Sequence, residues 1–293
     1  MPRSDAMGPR DIGLGVGVAL VWGMGLVFAK AAIETFPPIL LMFFRFGLTA
    51  FVLVWFVPVP RGHFARLFWI AVVSAAIQYS LVFTGLKALD ASVAVLILQL
   101  EVPFLTLIGA LMLGERTSLR KWVGIAVAFA GVALIAGVPE VAAAWGAVLM
   151  VICGSISWAF GQAMVRHLQG LDGLTTTAWV AVMATPQLLL MSLLIETGQA
   201  DAIRQADPVV WVTVLYLGLV MTALGYGMWY TLLRRNPVSH AAPFLLLLPV
   251  FGVLGGVLFL GERLAGMALV GGAIVIVGVG FILTDRAANP SQD

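Results

Sequence analysis

Ten apolar runs of about twenty residues follow one another along the chain, each long enough to cross the roughly 30 Å of a bilayer's hydrocarbon core. Hydrocarbon offers backbone N–H and C=O groups no water, so such runs must be helices that satisfy themselves. Bounded by charges, glycines and prolines, they place helices near 12–33, 39–57, 67–87, 91–113, 122–138, 145–165, 174–195, 209–232, 238–260 and 265–284. The expected fold is an all-α integral membrane protein. Charged residues make up 10% of the 293 positions and hydrophobic ones 61%, whereas a soluble domain carries about 25% charge. Loops and tails total roughly 100 residues or fewer, too scattered for a separate soluble domain. Any binding site therefore lies among the helices. The first run, 22 residues long, exceeds the roughly 7–15 of a secretory signal core.

The basic residues report orientation. With the N-terminus in the cytoplasm, Arg3, Arg10, Arg61, Arg66, Arg116, Arg120, Lys121, Arg166, Arg234, Arg235 and Arg286 fall on that side, and Lys30, Lys87, Arg204 and Arg263 on the other. Eleven against four follows the positive-inside rule and predicts both termini cytoplasmic. Scattered singly or in short groups, these charges form no nucleic-acid-binding patch. One cysteine, Cys153, excludes an internal disulfide, and no Cys/His cluster suits a metal. It reads as a small buried apolar residue.

The chain repeats itself. Leu113-Gly114-Glu115-Arg116 recurs as Leu260-Gly261-Glu262-Arg263 at an offset of 147, which also pairs Tyr79 with Tyr226, Ser92 with Ser239, Gly109 with Gly256, Gly124 with Gly271 and Gly131 with Gly278. Trp22 and Trp158 match at 136, so the second copy carries 11 extra residues, supplied by the polar loop from Glu196 to Pro208. Residues 12–138 and 145–284 are the two expected halves, flanked by cytoplasmic tails 1–11 and 285–293. Five helices per half is an odd number, so the copies must lie inverted in the membrane. Inverted repeats are an architecture of alternating-access transporters, with substrate bound near the midplane between the halves.

Trp22-Gly23 in the first helix, Arg45-Phe46 in the second and the duplicated Gly-Glu-Arg corner resemble the drug/metabolite transporter superfamily, EamA type. Over nearly the whole chain the sequence is similar to the YddG-type exporters of aromatic amino acids. The resemblance implies ten helices around a central cavity and ATP-independent export across the bacterial inner membrane. The implied partners are a small-molecule substrate, amino acids above all, and the lipid bilayer; the chain is expected to act as a monomer or homodimer.

Charge inside a span is costly unless paired, which marks Arg45 and Glu101. Counted from their helix starts they differ by four residues, about 6 Å of depth at 1.5 Å per residue, within reach of an arginine. A buried pair is one expectation, structural or functional; an outward-reaching Arg45 beside an unpaired Glu101 is the other. Gln78, Tyr79 and Phe83 in the third helix, and Ser155, Trp158 and Gln162 on one stripe of the sixth, supply rings and hydrogen-bonding groups suited to a pocket. The alternative is helix packing, where such residues also serve. The resemblance turns these helices toward a cavity. Pro103 in the fourth helix, and Pro243 and Pro249 in the ninth, interrupt the hydrogen-bond ladder and mark gating bends. Ser239 is a substrate contact or a helix cap, and His240 a water-exposed neighbour of a loop.

An ATP-driven pump needs a GxxxxGK[ST] loop, which is absent, and three scattered histidines do not assemble an enzyme's machinery. No cofactor is expected. A channel needs a continuous polar lining, which isolated Gln, Ser and Tyr residues do not provide. The remaining reading is a transporter. A cysteine introduced at Gln199 should react with an impermeant thiol reagent added outside cells, and one at Gln292 should not; the opposite pattern would overturn the topology.

Overall fold

The structure, a computed structural model, describes residues 7–112, 114, 117–168, 170–236 and 238–285, with positions 238 and 239 described by backbone alone. Ten helices are long and apolar enough to span a membrane: α1 Pro9–Ile33, α2 Pro38–Phe56, α3 Phe64–Leu86, α4 Ala91–Met112, α5 Leu119–Ala136, α6 Trp145–Arg166, α7 Gly173–Ile195, α8 Pro208–Arg235, α9 Ala242–Leu260 and α10 Gly266–Leu283. Hydropathy alone starts several of these late, because the first turn is built from helix-starting residues. Pro9, Pro38 and Pro208 open α1, α2 and α8 where a missing N–H costs nothing, and Asp172, Asp207 and Ser118 accept first-turn N–H bonds.

The halves pack as inverted copies. The α2 helix lies against α7 and α5 against α10, while the contacts of α1 with α8 and α9 mirror those of α6 with α3 and α4. The α5–α10 contact shows the symmetry atom by atom. A side chain on Gly124 would strike the carbonyl of Gly278, and one on Gly271 the carbonyl of Gly131; these are equivalent contacts under the 147 offset. Small residues let two backbones approach closely where lipid supplies no hydrophobic drive. Phe51, Leu194, Leu258 and Val270 face outward, and Trp55, Trp122 and Trp145 are exposed near helix ends as interfacial aromatics are. Cys153 joins this outer surface instead of being buried. Since lipid is as apolar as the core, a small apolar side chain gains little from choosing the inside.

The first and last described segments lie at one end of the bundle, where Arg235 meets Asp11 at 3.5 Å, Arg120 donates to Thr284 at 2.8 Å and Ser118 bonds Asp285. The far end is closed by charged side chains that cap neighbouring helices. Lys30 donates to the carbonyls of Leu86 at 2.9 Å and Lys87 at 3.1 Å, ending α3. Glu196 accepts from the N–H groups of Ile39 at 2.7 Å and Leu40 at 3.0 Å, beginning α2. Glu262 does the same for α4, accepting from Ala91 N–H at 2.6 Å, Ser92 N–H at 2.9 Å and the Ser92 hydroxyl. Both glutamates belong to the second half and both helices to the first. A carboxylate on helix N-terminal N–H groups satisfies orphan donors and the positive end of the helix dipole. Neighbouring Asp90 has its carboxyl raised above the ordinary range by partial desolvation and by Glu262, with Lys30 opposing.

The geometry around Glu262 accounts for two glycines. Gly261 turns the corner with φ of +67°, the same value as Gly114 in the first copy, and a side chain on Gly256 would overlap the Glu262 carboxylate and Ser92 hydroxyl. Of the Leu113–Arg116 copy, only Gly114 lies among the described residues.

Four spans are broken, in matching places. Positions 72–77 of α3 and 216–224 of α8 are π-helical, and the 147 offset superposes them. The α4 helix breaks at Gln99–Leu100, between helical pieces Ala91–Leu98 and Glu101–Met112. In α9 a 3₁₀ stretch, Ala242–Leu246, precedes the regular helix, the counterpart of that break. Pro103 withholds the N–H that the Gln99 carbonyl would take four residues on, and the Val102 N–H takes that carbonyl at 3.3 Å instead. Pro243 lies within the 3₁₀ stretch and Pro249 just beyond it. Replacing Glu262 with Ala should cost about 1–3 kcal/mol, the range for lost caps and charge-assisted hydrogen bonds, with Gln intermediate. Thermal denaturation in detergent measures both; unchanged melting temperatures would deny the cap any part in closing the far end.

Candidate functional site

Two chambers lie between the halves. One, of about 110 Å³, is lined by Arg45, Tyr79, Trp158, Gln162, Thr177 and Tyr230, among others. The other, of about 200 Å³, is lined by Trp22, Gln78, Tyr79, Phe83, Glu101 and Tyr226, among others. They share Arg45, Tyr79, Trp158 and Tyr226, so they meet at one ring of side chains. Val165, Thr176 and Tyr230 on the first chamber and Leu283 on the second carry the lining toward the end that holds the termini.

The broken helices put these side chains there. A π-helical turn inserts one residue and rotates everything after it, and the two π segments are followed at once by Gln78-Tyr79 and Gly225-Tyr226. The α8 segment is held by the Thr222 hydroxyl donating to the Leu217 carbonyl at 2.8 Å. Trp22 donates its indole N–H to the Met221 carbonyl at 2.9 Å and packs 5.1 Å from the ring of Tyr226. Tyr226 stacks on Tyr230 at 5.8 Å, and Tyr79 on Phe83 at 5.7 Å. The aromatic walls thus include three couples matched by the repeat, Tyr79 with Tyr226, Phe83 with Tyr230 and Trp22 with Trp158. Tyr226 and Trp22 escaped the sequence reading of the site, although the repeat already matched each to a candidate there.

Arg45 is buried at 2% exposure rather than reaching outward. Its Nε donates to Thr222 Oγ1 at 3.3 Å and its Nη2 to the Tyr79 hydroxyl at 3.5 Å, with the guanidinium 4.8 Å from the Tyr79 ring centre and 5.5 Å from that of Phe46. These contacts are long or π-directed, and no carboxylate joins them among the described residues. The expected pair with Glu101 is not formed: Glu101 has no ion pair or hydrogen bond to a described residue, and it begins the second piece of α4, facing the larger chamber. Counting residues gave the two charges compatible depths, but the aromatic packing of Arg45 turns its guanidinium to Tyr79 and α8.

Gln78, Tyr79, Phe83, Trp158 and Gln162 line the cavity, and Ser155 does not. Ser155 is fully buried and donates to the Val151 carbonyl of its own helix at 3.0 Å, so its hydroxyl is consumed locally. The side chain of Ser239 lies outside the described residues. His240 is half-buried in the short helix Val238–Ala241 rather than freely exposed. Among the described residues no group of three or more His, Cys, Asp and Glu could hold a metal.

An inverted-repeat bundle whose helices break at a central cavity defines a multi-pass membrane transporter. The EamA-like transporter family model matches the chain twice, over residues 10–137 and 145–284, and the chain belongs to that family. It is 32% identical over 284 residues to a protein of Salmonella typhimurium named "Probable amino-acid metabolite efflux pump", covering 93% of this chain and 94% of that one. An Escherichia coli protein of the same name is 29% identical over 283 residues with the same coverage. An uncharacterized transporter of Archaeoglobus fulgidus is 25% identical over 90% of this chain and 95% of its own length. A solved structure aligns over 94% of this chain and 96% of its own with a TM-score of 0.63 at 18% identity, a shared fold.

Breaking a buried ion pair costs about 3–5 kcal/mol. With Arg45 and Glu101 apart, the cycle of Arg45→Met, Glu101→Gln and the double variant should show coupling below about 0.5 kcal/mol in substrate-free detergent. Recovery of lost stability in the double variant would restore the pair.

Proposed function

We propose that this protein is a secondary transporter exporting amino acids, the aromatic and other large apolar ones foremost, across a bacterial inner membrane by alternating access. The observation that carries the reading is the central cavity itself. Its walls include three couples of aromatic side chains matched by the repeat, Trp22 with Trp158, Tyr79 with Tyr226 and Phe83 with Tyr230, with a buried guanidinium and amide groups among them. Aromatic walls bury a ring, and a few fixed polar groups orient the rest of the molecule. The names of the Salmonella and Escherichia coli relatives support the amino-acid class.

The charge count favours cytoplasmic termini. With that orientation the cavity faces the cytoplasm and the Lys30, Glu196 and Glu262 caps close the outside, the state in which an exporter loads. Alternating access then requires those caps to release while the other end closes, and the broken α3, α4, α8 and α9 are the elements that bend. A nucleotide-sugar carrier is the other reading within the superfamily. One guanidinium in the described lining offers little to a diphosphate, which is bound by clustered cations.

Purified protein in liposomes should show saturable counterflow of phenylalanine or tryptophan without ATP. Nucleotide-sugar flux with no amino-acid flux would replace this reading by the alternative, and cells lacking the protein should be more sensitive to toxic aromatic analogues. Trp158→Ala and Tyr79→Ala should each lower counterflow by roughly 3- to 10-fold, the worth of a lost aromatic contact, at unchanged protein level. A fall in protein level matching the fall in flux would reassign the rings to packing.

A further inference from the structure

We infer that the cavity grips an α-amino acid by both of its charged ends, Arg45 taking the carboxylate and Glu101 with the side-chain carbonyl of Gln78 taking the ammonium. This rests on the amino-acid reading above and deepens it by assigning each charge a group on the substrate.

Three observations carry it. The first is that the two charges face one chamber without neutralising each other. An arginine buried at mid-membrane, held by two hydroxyls, a long 4.0 Å contact from Nη1 to the Met42 sulfur and two ring faces, keeps spare Nη N–H donors and has no counter-anion among the described residues. Its five donors in a planar fork match a carboxylate. The second is an unmet acceptor. Gln78 is 5% exposed, lines the same chamber as Glu101, and its Oε1 has no hydrogen-bond partner. An ammonium is all donor and no acceptor, so a carboxylate on the chamber and the buried, unmet amide oxygen of a residue that lines it are the partners it needs. An unsatisfied buried acceptor is costly, which makes a donating ligand its simplest complement.

The third observation is broken symmetry. The repeat maps Arg45 onto Ala181 and Glu101 onto Leu248, and both apolar counterparts line the cavity as well. The glycines that pack α5 against α10 recur in both copies. An arginine and a glutamate that occur once each, at cavity positions where the other copy has Ala and Leu, fit an asymmetric occupant. A zwitterion is such an occupant, with a ring for Trp158, Tyr79 and their symmetry mates.

Counterflow of labelled phenylalanine in liposomes, competed with phenylalanine, phenethylamine and 3-phenylpropionate, reads each end separately. Wild-type protein should prefer phenylalanine to either truncated analogue by roughly tenfold or more, the worth of a charge-assisted contact. Arg45→Gln should abolish the preference over phenethylamine, which has no carboxylate, and keep the preference over 3-phenylpropionate. Glu101→Gln should do the reverse, and Gln78→Leu should follow Glu101→Gln in weaker form. Where a variant's flux is too low to compete, ligand-induced shifts in melting temperature with the same three compounds give the same ratios. Preferences that fall together, or do not change, overturn the assignment while the amino-acid reading stands. Absence of phenylalanine counterflow in the wild type would overturn that reading, and the assignment with it.

Discussion

Within hydrocarbon, every backbone donor and acceptor must find its partner in the protein, and the architecture follows from that requirement. Regular helices meet it alone along most of each span. Where α3, α4, α8 and α9 depart from the α-helix, they do so at the cavity, where side chains, π-type bonds and shortened turns take up the freed groups. The same rule governs helix ends. The N-termini of α2 and α4 draw their acceptors from Glu196 and Glu262 of the other half. The same carboxylates that close the far end therefore complete two helices.

Duplication explains most of the rest. Contacts that recur under the repeat, such as the α5–α10 glycine pairs, hold the two copies together, and the left-handed corner at Gly114 recurs at Gly261. Two departures from it lie in the cavity: Arg45 corresponds to Ala181 in the other copy, and Glu101 to Leu248. Aromatic walls matched by the repeat thus stand beside two polar groups, Arg45 and Glu101, that the repeat does not match.

Much of this was legible beforehand, and the misses share a cause. For Tyr79, Phe83, Trp158, Gln78 and Gln162, helix and spacing leave pocket and packing both open and the family resemblance favours a pocket; in the structure each lines the cavity. Trp22 and Tyr226 were overlooked although the offsets that revealed the repeat also named them. Ser155 and Cys153 were placed on the wrong face. In water, a helix advertises its buried face through the contrast between apolar and polar sides. In lipid both sides are apolar, so the rotation of a helix about its axis leaves little trace in its sequence.

Length, hydropathy and the 147-residue offset are properties of the chain read in order, and they suffice to set ten spans, their alternation and the inverted pairing of two halves. Depth in the membrane is also countable, which is why Arg45 and Glu101 were recognised as buried charges. Which way each side chain turns, and what it meets, depends on neighbours far away in sequence. Arg45 is held by Thr222, 177 residues on, and Ser92 by Glu262, 170 residues on. Only packing in three dimensions could decide that Arg45 turns to Tyr79 and α8 and leaves Glu101 to the open chamber, because angle about the helix axis and choice of partner are not encoded in any local pattern.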